Sequence, residues 1–305
     1  MSFSPDKDIP SLAGRVILVT GGNSGLGKES ILQLAKHNPR QIIMAARSQA
    51  RAEAAIEEIK SAVPDSKIAF LHLDLSSFAS IKKAAASVLE QYDRLDVLLN
   101  NAGLMGVPPG LTEDGYEMQF GSNHMGPALF TRLLLPLLDK TSNLPDSDVR
   151  IVQLSSEASQ FAPKGGILFS QLKTPQADIS GRARYGQSKL ANLYFIKSLA
   201  KRHPNIKCVS LHPGIVKTGI ANNTLNNHSF LSWIFSLVIK LFFTGVRTGA
   251  LGQLWAATGP SKEIQTGAYY TPLKKRNYRN DTAEDEKIAE KLWNWTEQEF
   301  SSRGL

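Results

Sequence analysis

A tyrosine and a lysine four residues apart, in the stretch Tyr185-Gly-Gln-Ser-Lys189, have the types and spacing of a proton donor and its electrostatic partner. Side chains at positions i and i+4 of a helix lie on one face, so we expect the Lys189 ammonium beside the Tyr185 phenol. A neighbouring positive charge lowers the pKa of a phenol from its reference value of about 10. A tyrosine tuned in this way can exchange a proton with a carbonyl or alcohol oxygen near neutral pH. Because the pattern also arises by chance in amphipathic helices, it gains weight only beside a second motif.

A glycine-rich stretch, Thr20-Gly-Gly-Asn-Ser-Gly-Leu-Gly27, supplies that second motif. It follows the apolar run 16–19 and precedes a helical pattern that begins near Leu26. Glycines let the backbone turn sharply and approach a pyrophosphate, which then lies at the amino terminus of the helix, where free N–H groups favour negative charge. Together the two motifs indicate an enzyme that binds a nucleotide and transfers hydride.

Polar residues follow the next predicted strands, at the edge of the sheet where a nucleotide would lie. An NAD-binding protein typically has an acidic residue after its second strand, whereas this chain has Arg47. Arginine can pair with a 2′-phosphate, so the sequence favours NADP(H) over NAD(H), the alternative being an ordinary loop arginine. Asp74 ends the third predicted strand and could contact adenine, and Asn100-Asn-Ala-Gly103 ends the fourth.

Composition excludes several classes of protein. The 305 residues are 42% hydrophobic and 20% charged, which argues for a folded core and against disorder. The net charge of +8 is spread along the chain, and we interpret its densest cluster, Lys274-Lys275-Arg276 with Arg279, as solvated surface, so no nucleic-acid partner is predicted. Cys208 is the only cysteine, no spacing resembles a metal site, and the first ten residues lack a signal-like apolar run. We therefore predict an intracellular, cytoplasmic protein without a metal.

Apolar runs of strand length alternate with amphipathic segments of helix length. The predicted strands are 16–20, 41–45, 67–73, 97–99, 149–154 and 206–211, and the predicted helices include 49–62, 78–92, 116–138 and 185–203. This alternation predicts an α/β fold of Rossmann type, a doubly wound parallel sheet with helices on both faces. No linker or repeat divides the chain, so one domain is predicted over residues 1–305. Three segments are expected outside the sheet: 157–184, 219–245 and a charged tail, 275–305, whose Leu292, Trp293 and Trp295 should pack on the body.

These motifs, in this order, resemble those of the short-chain dehydrogenase/reductase family. The resemblance covers residues 12–275, and the motifs are Thr20-Gly-x-x-x-Gly-x-Gly27, Asp74, Asn100-Asn-Ala-Gly103, Asn123, Ser155-Ser156, Tyr185-x-x-x-Lys189, and Pro213-Gly214 with Thr218. Within the family, Gln119-Phe-Gly-Ser-Asn-His-Met-Gly126 and Gly245-Val-Arg-Thr-Gly-Ala250 most resemble the retinol-dehydrogenase-like branch and similar fungal reductases.

The resemblance implies a role for each matching residue. Tyr185 would be the catalytic acid/base, and Lys189 would lower its pKa and hold the nicotinamide ribose. Ser156 would hydrogen-bond the carbonyl oxygen, and Asn123 would hold a water that links Lys189 to solvent. Ser156 is preferred to Ser155 because the family's active serine is the second of such a pair, and adjacent strand residues point to opposite faces. The expected cofactor contacts are Gly21, Asn23, Ser24, Gly25, Leu26, Gly27, Arg47, Asp74, Leu75, Asn101, Ala102, Gly103, Tyr185, Lys189, Pro213, Gly214, Val216 and Thr218.

Two segments bear on the substrate. Ser156 and Tyr185 are 29 positions apart, so 158–184 is an insertion over the site, comparable to one in the retinol-dehydrogenase-like branch. Residues 229–243 are the most apolar stretch of the chain and have three interpretations: a lid on a lipophilic pocket, a core or subunit contact, and a helix in the membrane interface. Met105, Val107 and Pro108-Pro109 would add apolar wall near the nicotinamide. We expect a hydrophobic carbonyl or alcohol substrate, such as a retinoid, steroid, polyketide or terpenoid.

Other functions and assemblies stay open at the level of sequence. A biosynthetic reductase of an imine or an activated alkene would use the same fold. A non-catalytic nucleotide-binding partner protein would not need the set Asn123, Ser156, Tyr185 and Lys189. Because family members often associate through the helix that carries the active tyrosine, a homodimer or homotetramer is possible, as is peripheral contact with a membrane.

Overall fold

The protein is described by a computed structural model that covers residues 3–214, 245–272 and 284–305. Val216, Thr218, the apolar stretch 229–243 and the basic cluster 274–279 lie outside these ranges. Within the described ranges, seven strands form one parallel sheet in the order β3-β2-β1-β4-β5-β6-β7. The strands are β1 (Val16–Thr20), β2 (Gln41–Ala46), β3 (Ile68–His72), β4 (Val97–Asn100), β5 (Arg150–Leu154), β6 (Lys207–Leu211) and β7 (Tyr269–Tyr270).

The central strands are apolar because helices cover both faces of the sheet. Alternate residues of β1 enter two separate cores: Val16 and Leu18 face one, and Ile17 and Val19 face the other. The strand order reverses between β1 and β4, which opens a crevice at the carboxyl ends of these strands, where ligands bind in such sheets. The predicted α/β doubly wound fold is confirmed.

Helices flank the sheet on both sides. They are α1 (Pro5–Asp8), α2 (Gly25–Ala35), α3 (Gln49–Ala62), α4 (Phe78–Gln91), α5 (Met118–Phe120), α6 (Gly126–Ser142), α7 (Gly181–Arg202), α8 (Val246–Thr258) and α9 (Glu286–Ser301). The first core lies under α4, α6, α7 and α9, and the second under α2, α3 and α8. No helix of the described part of the chain has the length and apolar character to cross a membrane.

The helix predicted over 116–138 differs from the observed one. It begins at Met118, continues to Ser142, and contains a π-helical segment, Gly121–Met125, between α5 and α6. A π-helix inserts one residue per turn, and such segments are frequent at functional sites. This π-helical segment contains Asn123, one of the predicted site residues.

The insertion lies outside the sheet. It contains two 3₁₀ turns, Glu157–Phe161 and Phe169–Gln171, and ends where α7 begins at Gly181. In the tail, α9 buries Leu292 and Phe300 in the first core, with Trp293 and Trp295 half-buried against it, on the side that the sequence predicted.

Candidate active site

The glycine-rich loop has the shape of a phosphate cradle. Gly21 and Gly25 have positive φ angles of 66° and 53°, a conformation that other residues rarely adopt. A Cβ on Gly27 would overlap the carbonyl of Gly21 and lie 2.6 Å from the Asn101 side-chain nitrogen. The loop therefore folds tightly onto the first turn of α2, whose free N–H groups can receive an anion.

Residues at the end of β4 fix this loop. Asn101 Nδ2 donates to the carbonyl of Thr20 at 2.8 Å, and the Ala102 N–H donates to the Thr20 hydroxyl at 3.0 Å. Both strands that border the crevice are thus tied together at the predicted cofactor site. Asn23, Gly25 and the exposed Ser24 line the loop, while Leu26 is buried in the second core.

Arg47 follows β2 on the outer side of the loop. Its side chain is 69% exposed, and Nη1 lies 3.9 Å from Asp74 Oδ2, too far for a hydrogen bond. Asp74 is instead held by Ser76, whose N–H and hydroxyl both donate to Oδ1, at 2.9 and 2.6 Å. The Arg47 guanidinium thus remains accessible to a ligand at the end of β2. Leu75 is the next predicted cofactor contact. Its backbone carbonyl lies so close to Gly126 that a Cβ on Gly126 would overlap it.

The two serines after β5 point in different directions. Ser155 is buried, and its hydroxyl donates to the backbone carbonyl of Lys189 at 2.7 Å. The Ser156 hydroxyl accepts from the N–H of Ala158 at 3.1 Å, and it lies close enough to Tyr185 to lower the pKa of the phenol. The structure therefore brings Ser156, rather than Ser155, to the tyrosine.

Tyr185 and Lys189 lie in the first half of α7, but their electrostatics differ from expectation. Burial raises the pKa of Tyr185 to about 12, and the hydrogen bond from Ser156 acts in the opposite direction. The net shift of the phenol's pKa is thus upward, whereas a lowering was expected, and the effect of Lys189 on that pKa stays a prediction. Lys189 Nζ donates to the carbonyl of Leu154 at 3.2 Å and lies 5.6 Å from the centre of the Tyr185 ring. Burial also lowers the pKa of Lys189, to about 8, so its ammonium is mostly charged at pH 7 and loses the charge above about pH 8.

Asn123 joins the loop after β4 to α7. Its Oδ1 accepts from the N–H of Leu104 at 2.8 Å, and its Nδ2 donates to the Leu104 carbonyl at 2.9 Å and to Ser188 Oγ at 3.0 Å. A Cβ on Gly103 would lie 3.2 Å from Asn123 Oδ1 and 3.3 Å from Lys189 Nζ, so these three residues converge. The side chain of Asn123 is therefore a structural tie, and its contact with a water stays a prediction.

The segment after β6 closes the site. Pro213 and Gly214 are half-buried there, and Gly214 has a φ of 90°. His212 Nε2 lies 3.8 Å from Glu157 Oε2, and burial, with a smaller effect of the Lys189 charge, lowers the pKa of His212 to about 4. His212 is thus neutral at pH 7. Sequence reasoning assigned it no role, because a histidine without a metal-like spacing gives no signal.

Two further buried side chains were missed by sequence reasoning, Glu117 and Arg184, which form an ion pair beside Tyr185. The only available signal was a charged residue directly before the tyrosine, in a stretch expected to be loop. Within the described ranges, no group of three or more His, Cys, Asp or Glu side chains could hold a metal ion.

The site thus has a phosphate cradle at the switch point of the sheet and a phenol–hydroxyl pair at the neighbouring strand ends. A model of the family described as short chain dehydrogenase matches residues 15–229. An uncharacterized oxidoreductase of Schizosaccharomyces pombe is 39% identical over 300 residues, which cover 96% of this chain and 87% of that protein. Human retinol dehydrogenase 13 is 35% identical over 286 residues, covering 93% and 83% of the two chains. The crystal structure of an uncharacterized protein from Mycobacterium paratuberculosis is similar, with a TM-score of 0.76 and 28% identity, covering 99% of this chain and 98% of that one.

Proposed function

The chain belongs to the short-chain dehydrogenase/reductase family, in its retinol-dehydrogenase-like branch, and on this premise we propose that it is an NADP(H)-dependent oxidoreductase that reduces a carbonyl group of a lipophilic small molecule, or oxidises the matching alcohol. The observation that carries the proposal is the grouping of three side chains: the Ser156 hydroxyl acts on the Tyr185 phenol, and Lys189 Nζ lies 5.6 Å from the centre of the Tyr185 ring. This arrangement suits one carbonyl oxygen of a substrate, with Tyr185 as its proton donor and Ser156 as a second hydrogen-bonding group.

The residues at the switch point fit a nicotinamide dinucleotide. Gly27 packs so tightly under Gly21 that no larger side chain fits, and this close turn at the start of α2 suits a pyrophosphate. Arg47 would hold the 2′-phosphate, and Lys189 the nicotinamide ribose. When bound, the cofactor supplies hydride to the substrate carbon or accepts it.

Tyr185 would manage the proton. With its pKa raised to about 12, the phenol stays protonated at neutral pH, so it can donate as a carbonyl carbon receives hydride and negative charge builds on the oxygen. The Ser156 hydroxyl would donate to that same oxygen. The proton passes from the phenol to the new alkoxide, and the Lys189 ammonium, one turn along α7, stabilises the phenolate that remains until it regains a proton. In the oxidation direction the same groups act in reverse.

Arg47 carries the proposed preference for NADP(H). The chain Ala45-Ala46-Arg47 has no carboxylate at the end of β2 to accept ribose hydroxyls, and its exposed guanidinium suits a phosphate. Replacing Arg47 by Asp would remove the cation and supply a ribose acceptor. We expect the ratio of kcat/KM for NADPH over NADH to fall by at least about tenfold, as expected for one charge-assisted contact. An unchanged ratio would remove Arg47 from the cofactor site.

The lipophilic substrate is supported by the walls of the pocket and by a relative. Met105 and Val107 are half-buried in the loop after β4, and Phe161 of the insertion is 37% exposed. The relative is human retinol dehydrogenase 13, whose name gives retinol, a lipophilic alcohol, as its substrate. Apolar side chains at a pocket favour a ligand of the same character.

The decisive experiment mixes the purified protein with NADPH or NADH and a panel of lipophilic aldehydes and ketones, and follows the nicotinamide absorbance. We expect NADPH oxidation that falls by about 10²–10⁴-fold in Tyr185→Phe, the range for loss of a general acid, with NADPH binding retained. Faster turnover of small polar sugars would contradict the lipophilic substrate. Binding without turnover of any carbonyl would contradict the proposed reaction, and an imine and an activated alkene in the same panel would then identify a different reductase.

A further inference from the structure

A buried ion pair lies directly beside the proposed acid/base. Arg184 precedes Tyr185 in α7, its side chain is 3% exposed, and its Nε lies 3.5 Å from Oε1 of Glu117, which is fully buried. Burying two charges costs several kcal/mol per ion unless further hydrogen bonds compensate. The compensating contacts reach the loop after β4, the insertion and the first turn of α5.

The Arg184 guanidinium bridges two such loops. Its Nη2 donates to the Val107 carbonyl at 2.9 Å, in the loop after β4. Its Nη1 donates to the carbonyls of Pro175 and Gln176, at 3.3 and 3.4 Å, in the insertion. One planar cation therefore holds three backbone carbonyls, a geometry that arginine provides and lysine does not.

Glu117 ties the same segments to the helix that carries Asn123. Its second carboxylate oxygen accepts from the N–H of Phe120 at 2.7 Å and so caps α5. Its own N–H donates to the carbonyl of Leu172 in the insertion at 2.8 Å. The pair thus joins the start of the Asn123 helix, the start of the Tyr185 helix and the insertion.

Two buried glutamines repeat these links. Gln119 donates to the Gly181 carbonyl at 3.0 Å and accepts from the Gly106 N–H at 3.1 Å. Gln187 accepts from the N–H of Leu168 at 2.8 Å, and its Nε2 donates to Gln176 Oε1 at 3.1 Å. Arg184 and Gln187 therefore hold the insertion from both sides of Tyr185, and their contacts with residues 168–176 are broken if the insertion opens as a lid.

We propose that Arg184 and Glu117 are a positioning pair that fixes the insertion as a rigid wall of the substrate pocket, so that this wall, and not a moving lid, decides which substrates reach Tyr185. The inference deepens the proposed function and rests on it for the kinetic readout only. Because buried hydrogen bonds rigidify the segments they join, the wall is set before the substrate arrives.

The test uses Arg184→Lys, which keeps the charge beside Glu117 but cannot reach three carbonyls. The matched control is Arg202→Lys at the far end of α7, where Arg202 makes an exposed ion pair with Glu290 at 2.7 Å. In Arg184→Lys we expect backbone hydrogen exchange over residues 165–180 to accelerate by at least about tenfold, as a local opening becomes easier. KM for bulky carbonyl substrates should change by about tenfold, while kcat for a small aldehyde and the Kd for NADPH stay within about twofold. The control should change none of these.

A second variant separates positioning from folding. The double variant Arg184→Met with Glu117→Gln leaves no buried charge unpaired, so we expect its thermal stability to lie closer to that of the wild type than the stability of the single variant Arg184→Met does. The changes in hydrogen exchange and in KM should still be present in the double variant. Unchanged exchange and KM in Arg184→Lys would overturn the proposal, as would an equal loss of NADPH binding and of kcat on all substrates, which indicates a general effect on the fold. If the wild type turned over no carbonyl, the proposed function would fail, while the exchange data would still decide the positioning pair.

Discussion

Ser155 and Ser156 are neighbours in sequence that differ in what their hydroxyls contact. Ser156→Ala removes the group that faces Tyr185, so we expect kcat to fall by about 10²–10³-fold with stability retained, the range for loss of one donor to a developing oxyanion. Ser155→Ala removes a buried hydrogen bond to the Lys189 carbonyl, so we expect a loss of about 1 kcal/mol of stability with most of the activity kept. Steady-state kinetics and thermal melts of both variants check this contrast. The reverse pattern would show that the wrong serine has been assigned.

The pH dependence of the reaction follows from two shifted pKa values. Tyr185, raised to about 12, is protonated throughout the neutral range and therefore imposes no fall in carbonyl reduction there. Lys189, lowered to about 8, loses its charge above that pH. Since kcat/KM reports groups of the free enzyme, we expect it to be flat below about pH 8 and to fall above it. A pH profile from 6 to 10 measures this, and in Lys189→Met the plateau should be lower and the fall absent. A fall that persists in that variant would show that another group titrates.

Sequence alone identified the residues with motif spacing but not their environment. The phenol–lysine pair follows from helix periodicity, and the preference for Ser156 follows from the family resemblance together with the alternation of a strand. The pKa of Tyr185 could not be predicted, because its direction is set by burial, which depends on the insertion and on strands far away in the chain. Arg184 and Glu117 were missed for the same reason: their contact joins two loops whose pairing no periodicity encodes.

At the level of elements, the close contact between α7 and the turn after Ser156 requires Gly186. A Cβ there would lie 2.6 Å from the carbonyl oxygen of Ala158 and 2.8 Å from the nitrogen of Ala162, both backbone atoms that cannot give way cheaply. Gly186→Ala should push the Glu157–Phe161 turn off the helix and displace Ser156 from Tyr185. Because small misplacements of reacting groups are costly, we expect kcat to fall by about 10²-fold, together with a lower Tm.

Gly252 is the matched control, a mid-helix glycine in α8. A Cβ there meets only the Leu211 side chain, at 3.9 Å, among the described residues. Gly252→Ala should keep full activity and add about 0.5–1 kcal/mol of stability, since alanine has the higher helix propensity. Similar kinetics for both variants would show that the turn and the helix can separate without consequence for the site.

The ends of strands β1 to β6 were predicted to within one residue. Three other elements, namely β7, α8 and the π-helical segment, were not predicted. Long apolar runs between helices mark β1, β2, β4, β5 and β6 because almost all of their residues are buried, and an apolar run also marks the half-buried edge strand β3. β7 has two residues and therefore no detectable pattern, and α8 contains Gly249 and Gly252, which weaken its helical signal. The π-helix before α6 arises from packing, including the approach of Gly126 to Leu75, and has no sequence period of its own.

For the molecule as a whole, α9 covers the outer side of the helix that carries Tyr185. Trp293 stacks on Phe195 of α7 with ring centres 5.7 Å apart, and Arg202 lies 4.4 Å above the Trp293 ring. Ion pairs flank this contact: Lys197–Glu284, Lys201–Glu286, Arg202–Glu290 and, from α6, Arg132–Glu297. Exposed ion pairs add little stability, so the buried apolar side chains of α9 hold it in place. A face of α7, the helix through which the family resemblance implies association, is thus occupied by the chain's own helix.

We therefore expect no subunit contact through α7 in the wild type, and association through this face once α9 is displaced. Leu292→Asp places a charge in the core under α9, where Leu292 is 1% exposed, and should cost at least about 3 kcal/mol of stability. Undocking α9 exposes the apolar face of α7, so the variant should form concentration-dependent oligomers in light scattering. Asn294→Asp adds the same charge on the exposed side of α9 and should leave stability and mass unchanged. Equal mass of Leu292→Asp and Asn294→Asp at every concentration would contradict the prediction, because it would show that the face of α7 under α9 does not associate.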